Sequence, residues 1–470
     1  MSRLNFLNKR LLSNLGFSLL AAYLLSFTFE GQVLYGLLDF YDVNAAGYIL
    51  AAIAANLGGL LFCGYLVRYP KAAWRMILGS TVACVAATVP FFFKPSLLWM
   101  AGLPIGAFAG GCAVGTWGYF LKTFTPKNQR IRSCADVLIC SNILMIVINV
   151  TATHVSPWAG LTMSALSLVA GGGILLALPL PEKADWRKDS GKLPGNIKKP
   201  LAMLCVFIAV ITINSGLMYQ VMNPAFAHLA GLASWYWAVP YILMLGILRS
   251  LPVNAKRAPV LYIGMGMIML AFICFMLLGR NACDYLIVDT LMLGACGIFD
   301  LFWWSILGEM LDYTPNPVHV FGIGLGANVF GVLLGGAVGM GITSFHIAGA
   351  EVAVVALSVV CITLAILPPL NRQLTMLLKS HVYLAAYSGL SEIRQETILC
   401  HTIMQTALTG REKEVLAQIL LGKSNKEIAA ALFISENTVK THTRNLYAKY
   451  DVGSRAELIS FLLKNQIAPK

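Results

Sequence analysis

The chain has 470 residues, 58% of them hydrophobic and only 12% charged, with a formal net charge of +13. A soluble domain carries about 25% charged residues, so a chain that faces water throughout is excluded. The length calls for two or more domains, and the positive balance points to anionic partners or to membrane topology.

As far as Leu370, nearly every Lys and Arg lies in a short gap between long apolar runs. A membrane-spanning helix needs about 20 mostly apolar residues. Twelve runs qualify: 11–37, 46–67, 74–93, 97–121, 133–153, 157–179, 201–222, 230–248, 258–278, 285–308, 318–343 and 348–369. The first follows Arg3, Lys9 and Arg10, as a signal peptide would, but it lacks a small-x-small cleavage site and is read as a span. Among the eleven cysteines, Cys84, Cys205, Cys274 and Cys361 fall inside apolar runs. No CxxC pair occurs, so the cysteines are expected to be reduced and buried, with no metal and no cofactor.

Orientation follows from the basic residues of the loops. With the N-terminus inside, the inner segments hold 19 Lys and Arg, and the outer loops hold only Lys94 and Arg280. An even number of spans returns the C-terminus to the same, cytoplasmic side.

The longest internal polar stretch, Pro181–Pro200, divides the spans six and six, giving halves 1–180 and 201–370. Basic loops recur after the second and the eighth span, and the former reads Gly64-Tyr65-Leu66-Val67-Arg68-Tyr69-Pro70-Lys71. In this arrangement residues 1–370 resemble the major facilitator family, which implies two six-helix bundles around a central cavity. That family's motif after its second helix is Gly-x-x-x-Asp-Arg-x-Gly-Arg. Here Arg68 stands at the Asp position and the second Gly is missing. The departure weighs against an alternating-access transporter and favours a bundle adapted to sensing.

Ionisable groups inside spans are costly and ask for a reason. No Lys or Arg lies deep in any run. Acids within the runs include Asp289 and Asp300 in the tenth span, with Glu309 at its end and Asp136 near the start of the fifth. Asp289 and Asp300 share one helix face, about 16 Å apart along the axis. Trp303 and Trp304 follow Asp300 by three and four residues, on the same side. A buried carboxylate beside aromatic rings suits a cationic or amine-bearing ligand, or a proton site. The competing reading makes the tryptophans a membrane-interface belt and pairs Asp300 within the bundle. These four residues form the candidate ligand site. The glycine-rich run 321–341 lies within a span and serves helix packing.

Residues 371–405 connect the last span to residues 406–470. Positions 374–384 have helical apolar spacing, either lying along the membrane or extending the last helix. Beyond them, Thr409-x-x-Glu412, Ser424-x-x-Glu427 and Ser454-x-x-Glu457 read as capping boxes, and Ser435 caps a further helix, so four helices are predicted. A short helix, a turn at Phe433-Ile434 and a longer helix make a helix-turn-helix. On the longer helix Asn437, Lys440, Thr441, Arg444 and Ala448 share one arc, with Val439, His442 and Leu446 opposite.

The runs Leu408-Thr409-x-Arg411-Glu412-x-Glu414-Val415-Leu416, Gly422-x-Ser424-Asn425-Lys426-Glu427-Ile428-Ala429, Ser435-x-x-Thr438-Val439-Lys440-x-His442 and Ser454-Arg455-Ala456-Glu457 resemble the LuxR-type (GerE-like) domain. The resemblance implies a bacterial, dimeric regulator binding double-stranded DNA in the major groove. By position it implies base contacts from Lys440, Thr441 and Arg444, and phosphate contacts from Lys426, Thr438 and Lys449. One departure is Tyr450-Asp451, where the family usually has Leu-Gly.

The expected fold class is therefore all-α, a polytopic twelve-helix membrane bundle followed by a four-helix helix-turn-helix domain. With no receiver domain in front, the bundle takes the input position. The expectation is a non-enzymatic one-component regulator in the bacterial inner membrane, in contact with lipid and an unidentified small molecule. A secondary transporter with an attached DNA-binding domain is the alternative, and a tethered factor released by proteolysis is a third reading.

Overall fold

The computed structural model describes residues 2–29, 31–126, 129–179, 195–250, 257–311, 314, 316–344, 349–388, 408–420, 425–452, 458 and 461. Within these, the side chains of 2–8, 46, 195–196, 257–258, 343, 349–351, 375–388, 426 and 427 lie outside the description. The described chain forms two compact units, Met1–Pro368 and Pro369–Lys470.

Among the described residues, twelve helical spans are long and apolar enough to cross a membrane: α1 (Lys9–Phe40), α2 (Gly47–Leu66), α3 (Pro70–Phe92), α4 (Leu97–Phe124), α5 (Arg130–His154), α6 (Pro157–Ala177), α7 (Ile197–Ala225), α8 (Ala227–Ser250), α9 (Pro259–Leu277), α10 (Ala282–Met310), α11 (Pro317–Ile342) and α12 (Val352–Leu374). Some are interrupted. α1 passes through a π segment at Leu24–Thr28 and restarts at Gln32, so the first apolar run is not one continuous helix. The helix containing α12 continues to Ser388, so positions 374–384 extend the last span.

Within the first half α2 packs on α4, α3 on α4, and α1 on α5 and α6; in the second, α7 packs on α11, and α10 on α8 and α9. Between the halves α2 meets α11 and α5 meets α8. These two pairs exchange when the sixth-span offset is applied, as expected of a repeated six-helix unit. Close approach at the seam requires small residues: a Cβ on Gly64 would lie 2.6 Å from the His319 Cα, and one on Gly322 would collide with the Leu60 carbonyl.

In the second unit, α13 (Gly410–Leu420), α14 (Asn425–Leu432) and α15 (Glu436–Lys449) surround a core of Val415, Leu416, Ile419, Ile428, Val439, Leu446 and Leu458. The first capping box is formed: the Thr409 N–H donates to Glu412 Oε2 at 2.8 Å and the Glu412 N–H to Thr409 Oγ1 at 3.3 Å. Ser435 Oγ accepts the Thr438 N–H at 3.1 Å and caps α15. Ser424 and Ser454, and most of the fourth predicted helix, lie outside the described residues. α14 and α15 each close on a left-handed residue. Ile434 N–H bonds back to Ala429 O around Phe433 (φ 55°), and Val452 N–H to Tyr447 O around Asp451 (φ 51°). Asp451 thus holds the conformation that the usual glycine adopts without strain.

Candidate functional site

The outer arc of α15 stands clear of the core. Asn437, Lys440, Thr441, Arg444 and Ala448 are exposed, while Val439 and Leu446 are fully buried. His442 is only half-buried; Thr443 takes the inward position instead, at 6% exposure. The arc of polar and cationic side chains on a rigid helix fits base edges and phosphates in a major groove.

The six residues expected at DNA are not equivalent. Arg444 is exposed, and Lys440 forms an exposed i,i+4 pair with Glu436 at 3.2 Å. Thr441 Oγ1 donates to Asn437 O at 3.1 Å, and the Thr438 hydroxyl lies 2.8 Å from that of Ser435. The Lys426 side chain lies outside the described residues. Lys449, expected at a phosphate, has its ammonium 2.7 Å from Oε2 of buried Glu412. Burial works to raise the Glu412 pKa, but the Lys449 ammonium and the Thr409 N–H and hydroxyl outweigh it and hold the carboxyl below its usual range. Glu412 therefore joins the start of α13 to the end of α15.

In the bundle, Asp300 accepts a 2.6 Å hydrogen bond from the Tyr241 hydroxyl on α8. Asp289 is 7% exposed, and its Oδ2 has no hydrogen-bond partner. Around the same helices Ser215 Oγ reaches Cys296 Sγ at 4.0 Å, and the Tyr219 and Trp237 rings lie 6.2 Å apart. Asn214, wholly buried, has both amide atoms unpartnered, as is Trp237 Nε1. Buried polar atoms normally find partners, so Asp289, Asn214 and Trp237 are exceptions to that rule.

Trp303 and Trp304 are buried at 2% and 8% exposure, which rules out an interface belt. Their rings pack on other aromatic rings. Trp303 stacks on Phe299, 6.5 Å away. Trp304 joins Phe17, Trp117 and Phe321 in an aromatic plug, with ring centroids 4.3 Å apart for Phe17–Trp117 and 5.3 Å for Trp304–Phe321. The plug draws on α1 and α4 of one half and on α10 and α11 of the other.

Polar contacts reinforce the same end of the seam. Asn316 Nδ2 donates to Gly64 O at 2.8 Å, Lys122 Nζ to Thr314 O at 2.8 Å and an Arg130 guanidinium N–H to Gly308 O at 2.9 Å. Arg249 pairs with Asp136 at 2.5 Å, which accounts for the acid near the start of α5. Arg130 falls in a gap between two apolar runs, yet it is 3% exposed. Nothing in the sequence singled out Arg130, Tyr241 or Asn316, because their partners come from distant spans. Arg68, in the usual Asp position, is exposed and donates to the nearby Tyr65 carbonyl at 2.9 Å.

Among the described residues no group of three or more His, Cys, Asp or Glu could hold a metal ion. Residues 406–462 match the family model for bacterial regulatory proteins of the luxR family. The matching segment is 63% identical over 57 residues to the uncharacterized transcriptional regulatory protein YhcZ of Bacillus subtilis (strain 168), covering 12% of this chain and 27% of that protein. It is 53% identical over 58 residues to the CsgBAC operon transcriptional regulatory protein of Escherichia coli (strain K12), again 12% and 27%. The chain thus spans about a quarter of these relatives' length. Among solved structures, the human organic anion transporter MFSD10 superposes with a TM-score of 0.60 at 15% identity, over 77% of this chain and 99% of that one. The proton:xylose symporter XylE of the major facilitator superfamily gives 0.57 at 11% identity, over 76% and 94%. The chain joins a luxR-type DNA-binding domain to a multi-pass bundle of the major facilitator fold.

Proposed function

We propose that this chain is a one-component transcription regulator of the bacterial cytoplasmic membrane, with both termini in the cytoplasm. The bundle binds a small molecule, and its change of state governs DNA binding by a homodimer of the C-terminal domain. One observation carries the reading: α10 holds both candidate ligand carboxylates and part of the cross-half seal. Asp300 stands one turn before Trp304 of the plug and two turns before Gly308, which accepts the Arg130 bond. A ligand that takes Tyr241's place on Asp300, or meets the unpartnered Asp289 oxygen, acts on the helix that closes the seam. The chemistry favours a small organic cation or amine. Lys440, Thr441 and Arg444 are assigned to bases and Thr438 and Lys426 to phosphates; Lys449 is assigned to Glu412 instead. Neither parent fold is typical of enzymes, and no catalytic role is assigned.

The test is a reporter strain carrying the target promoter. Arg444→Ala abolishes regulation in every condition, whereas Asp300→Asn leaves basal regulation and removes the response to inducer. If Asp300→Asn and Asp289→Asn both respond normally, the ligand assignment is wrong. The transporter alternative has support in the extent of the fold match. Uptake of a solute by proteoliposomes of the purified chain decides for it, and its absence, with ligand binding retained, decides for the sensor.

A further inference from the structure

A lateral groove of about 620 Å³ opens between the end of α2, α3 and α4. Its walls include Tyr69, Met76, Ser80, Ile105 and Phe108, and Arg75 stands within it. Ile105 and Phe108 are exposed on the bundle's outer face, which in a membrane is the face met by lipid tails. Arg75 lies five residues into α3, about 7.5 Å from the end of the helix that follows the Arg68–Lys71 loop. That depth suits the phosphate level of a bilayer, with the groove continuing inward as far as Ala83 on α3 and Pro104 on α4.

Charge decides what fits. No Asp or Glu occurs from residue 43 to residue 135, so α2, α3, α4 and their loops carry only positive charge. Arg68, Lys71 and Arg75 are all exposed at this end. An apolar slot below a basic cluster that has no acidic partner among the described residues has the form of a phospholipid with a net negative headgroup: a chain in the slot, the phosphate on the guanidinium. We propose that this groove is a binding site for an anionic phospholipid of the leaflet that the basic loops face. The site is separate from the ligand residues on α10 and does not depend on their assignment. α4, which forms one wall, also carries Trp117 of the plug, so an occupied groove braces a helix of the seam.

Two variants separate headgroup from chain. Arg75→Ala removes the charge. Gly79→Phe fills the slot while leaving Arg75 in place; Gly79 lines the groove, and a Cβ there meets nothing within 4 Å. Arg132→Ala, an exposed cation elsewhere, is the control. The full chain is purified in detergent, offered phosphatidylglycerol and phosphatidylcholine in equal amounts, and bound lipid is counted by native mass spectrometry. The expected result is retention of phosphatidylglycerol over phosphatidylcholine by the wild type. Arg75→Ala reduces that retention about fivefold, the effect of one basic residue at a membrane surface, with partial rescue by Arg75→Lys. Gly79→Phe loses it as well, with an unchanged unfolding midpoint in lipid-free detergent. Equal retention of the two lipids, a loss in Arg132→Ala as large as in Arg75→Ala, or full retention in Gly79→Phe would each show non-selective annular lipid and overturn the proposal.

Discussion

The Glu412–Lys449 pair gives a test of whether Lys449 is held within the domain or left for DNA. Glu412 is 4% exposed at its side chain and Lys449 34%, with 2.7 Å between the charged atoms. A hydrogen bond to a charged group contributes about 1.5–3 kcal/mol. The partly exposed ammonium is screened by water, which places the pair near the lower end, about 1–2 kcal/mol. The two single variants are not symmetric. Glu412→Gln keeps an acceptor for the Thr409 N–H and releases Lys449 to solvent, so it costs about 1 kcal/mol. Lys449→Met strands a buried carboxylate and costs about 2 kcal/mol or more.

The assay is amide hydrogen exchange on the full chain, read at the peptides of α13 and α15. About 1.4 kcal/mol corresponds to tenfold faster exchange through local opening. Lys449→Met is therefore expected to accelerate exchange more than tenfold, Glu412→Gln about fivefold, and the double variant less than the product. The pH dependence has a fixed sign. The folded-state pKa of Glu412 is depressed, so its stabilisation is complete above the unfolded value of about 4.3 and is lost as pH falls through the folded value. Unchanged exchange in Lys449→Met, together with weaker DNA binding and a shallower salt dependence, would refute this reasoning and return Lys449 to the phosphates.

Three further outcomes are expected. Arg444→Ala weakens specific DNA binding by about 1–3 kcal/mol in a shift assay at fixed salt and relaxes preference at one base position; unaltered affinity removes Arg444 from the interface. Tyr241→Phe deletes the 2.6 Å bond to Asp300 and changes the inducer concentration for half response about tenfold, measured in the reporter strain, while basal output stays put. Asp451→Gly relieves a left-handed residue at φ 51° and slows exchange at the end of α15, worth about 0.5 kcal/mol after the entropy cost of glycine; faster exchange contradicts the strain argument.

The spans were legible because a membrane imposes a length and composition that a single run must satisfy alone. The same holds for the Thr409–Glu412 box and the Ser435 cap, whose partners lie three residues away. What stayed hidden depends on distant pairing. Arg130 looks like one more loop cation until α10 brings Gly308 O within 2.9 Å. Trp304 looks like a neighbour of Asp300 until Phe17 and Trp117, from the other half, enclose it. Periodicity assigns a residue to a face and cannot say which helix that face meets. The shift of buried character from His442 to Thr443 is a smaller error of the same kind, within the angular tolerance of a 100° step.

The proposed switch also has to satisfy an energy balance, and that yields the last expectation. Moving a two-state bundle from 1:99 to 99:1 requires about 5.5 kcal/mol of differential affinity. One charged hydrogen bond at Asp300 supplies about 1.5–3 kcal/mol, so a ligand held there alone cannot overturn a deep seal. The seal must then be marginal, and losing one of its contacts should mimic the ligand in part. Asn316 is the cleanest choice, since it is 2% exposed and donates across the seam to Gly64 O at 2.8 Å. Asn316→Ala leaves that carbonyl buried without a donor, a penalty of about 1–3 kcal/mol on the sealed state only. Reporter output without inducer should move toward the induced level, and the inducer concentration for half response should fall about fivefold or more, with protein abundance checked by immunoblot. A variant present at normal abundance but silent without inducer, with an unmoved response curve, would mean that the seam is not the element the ligand shifts.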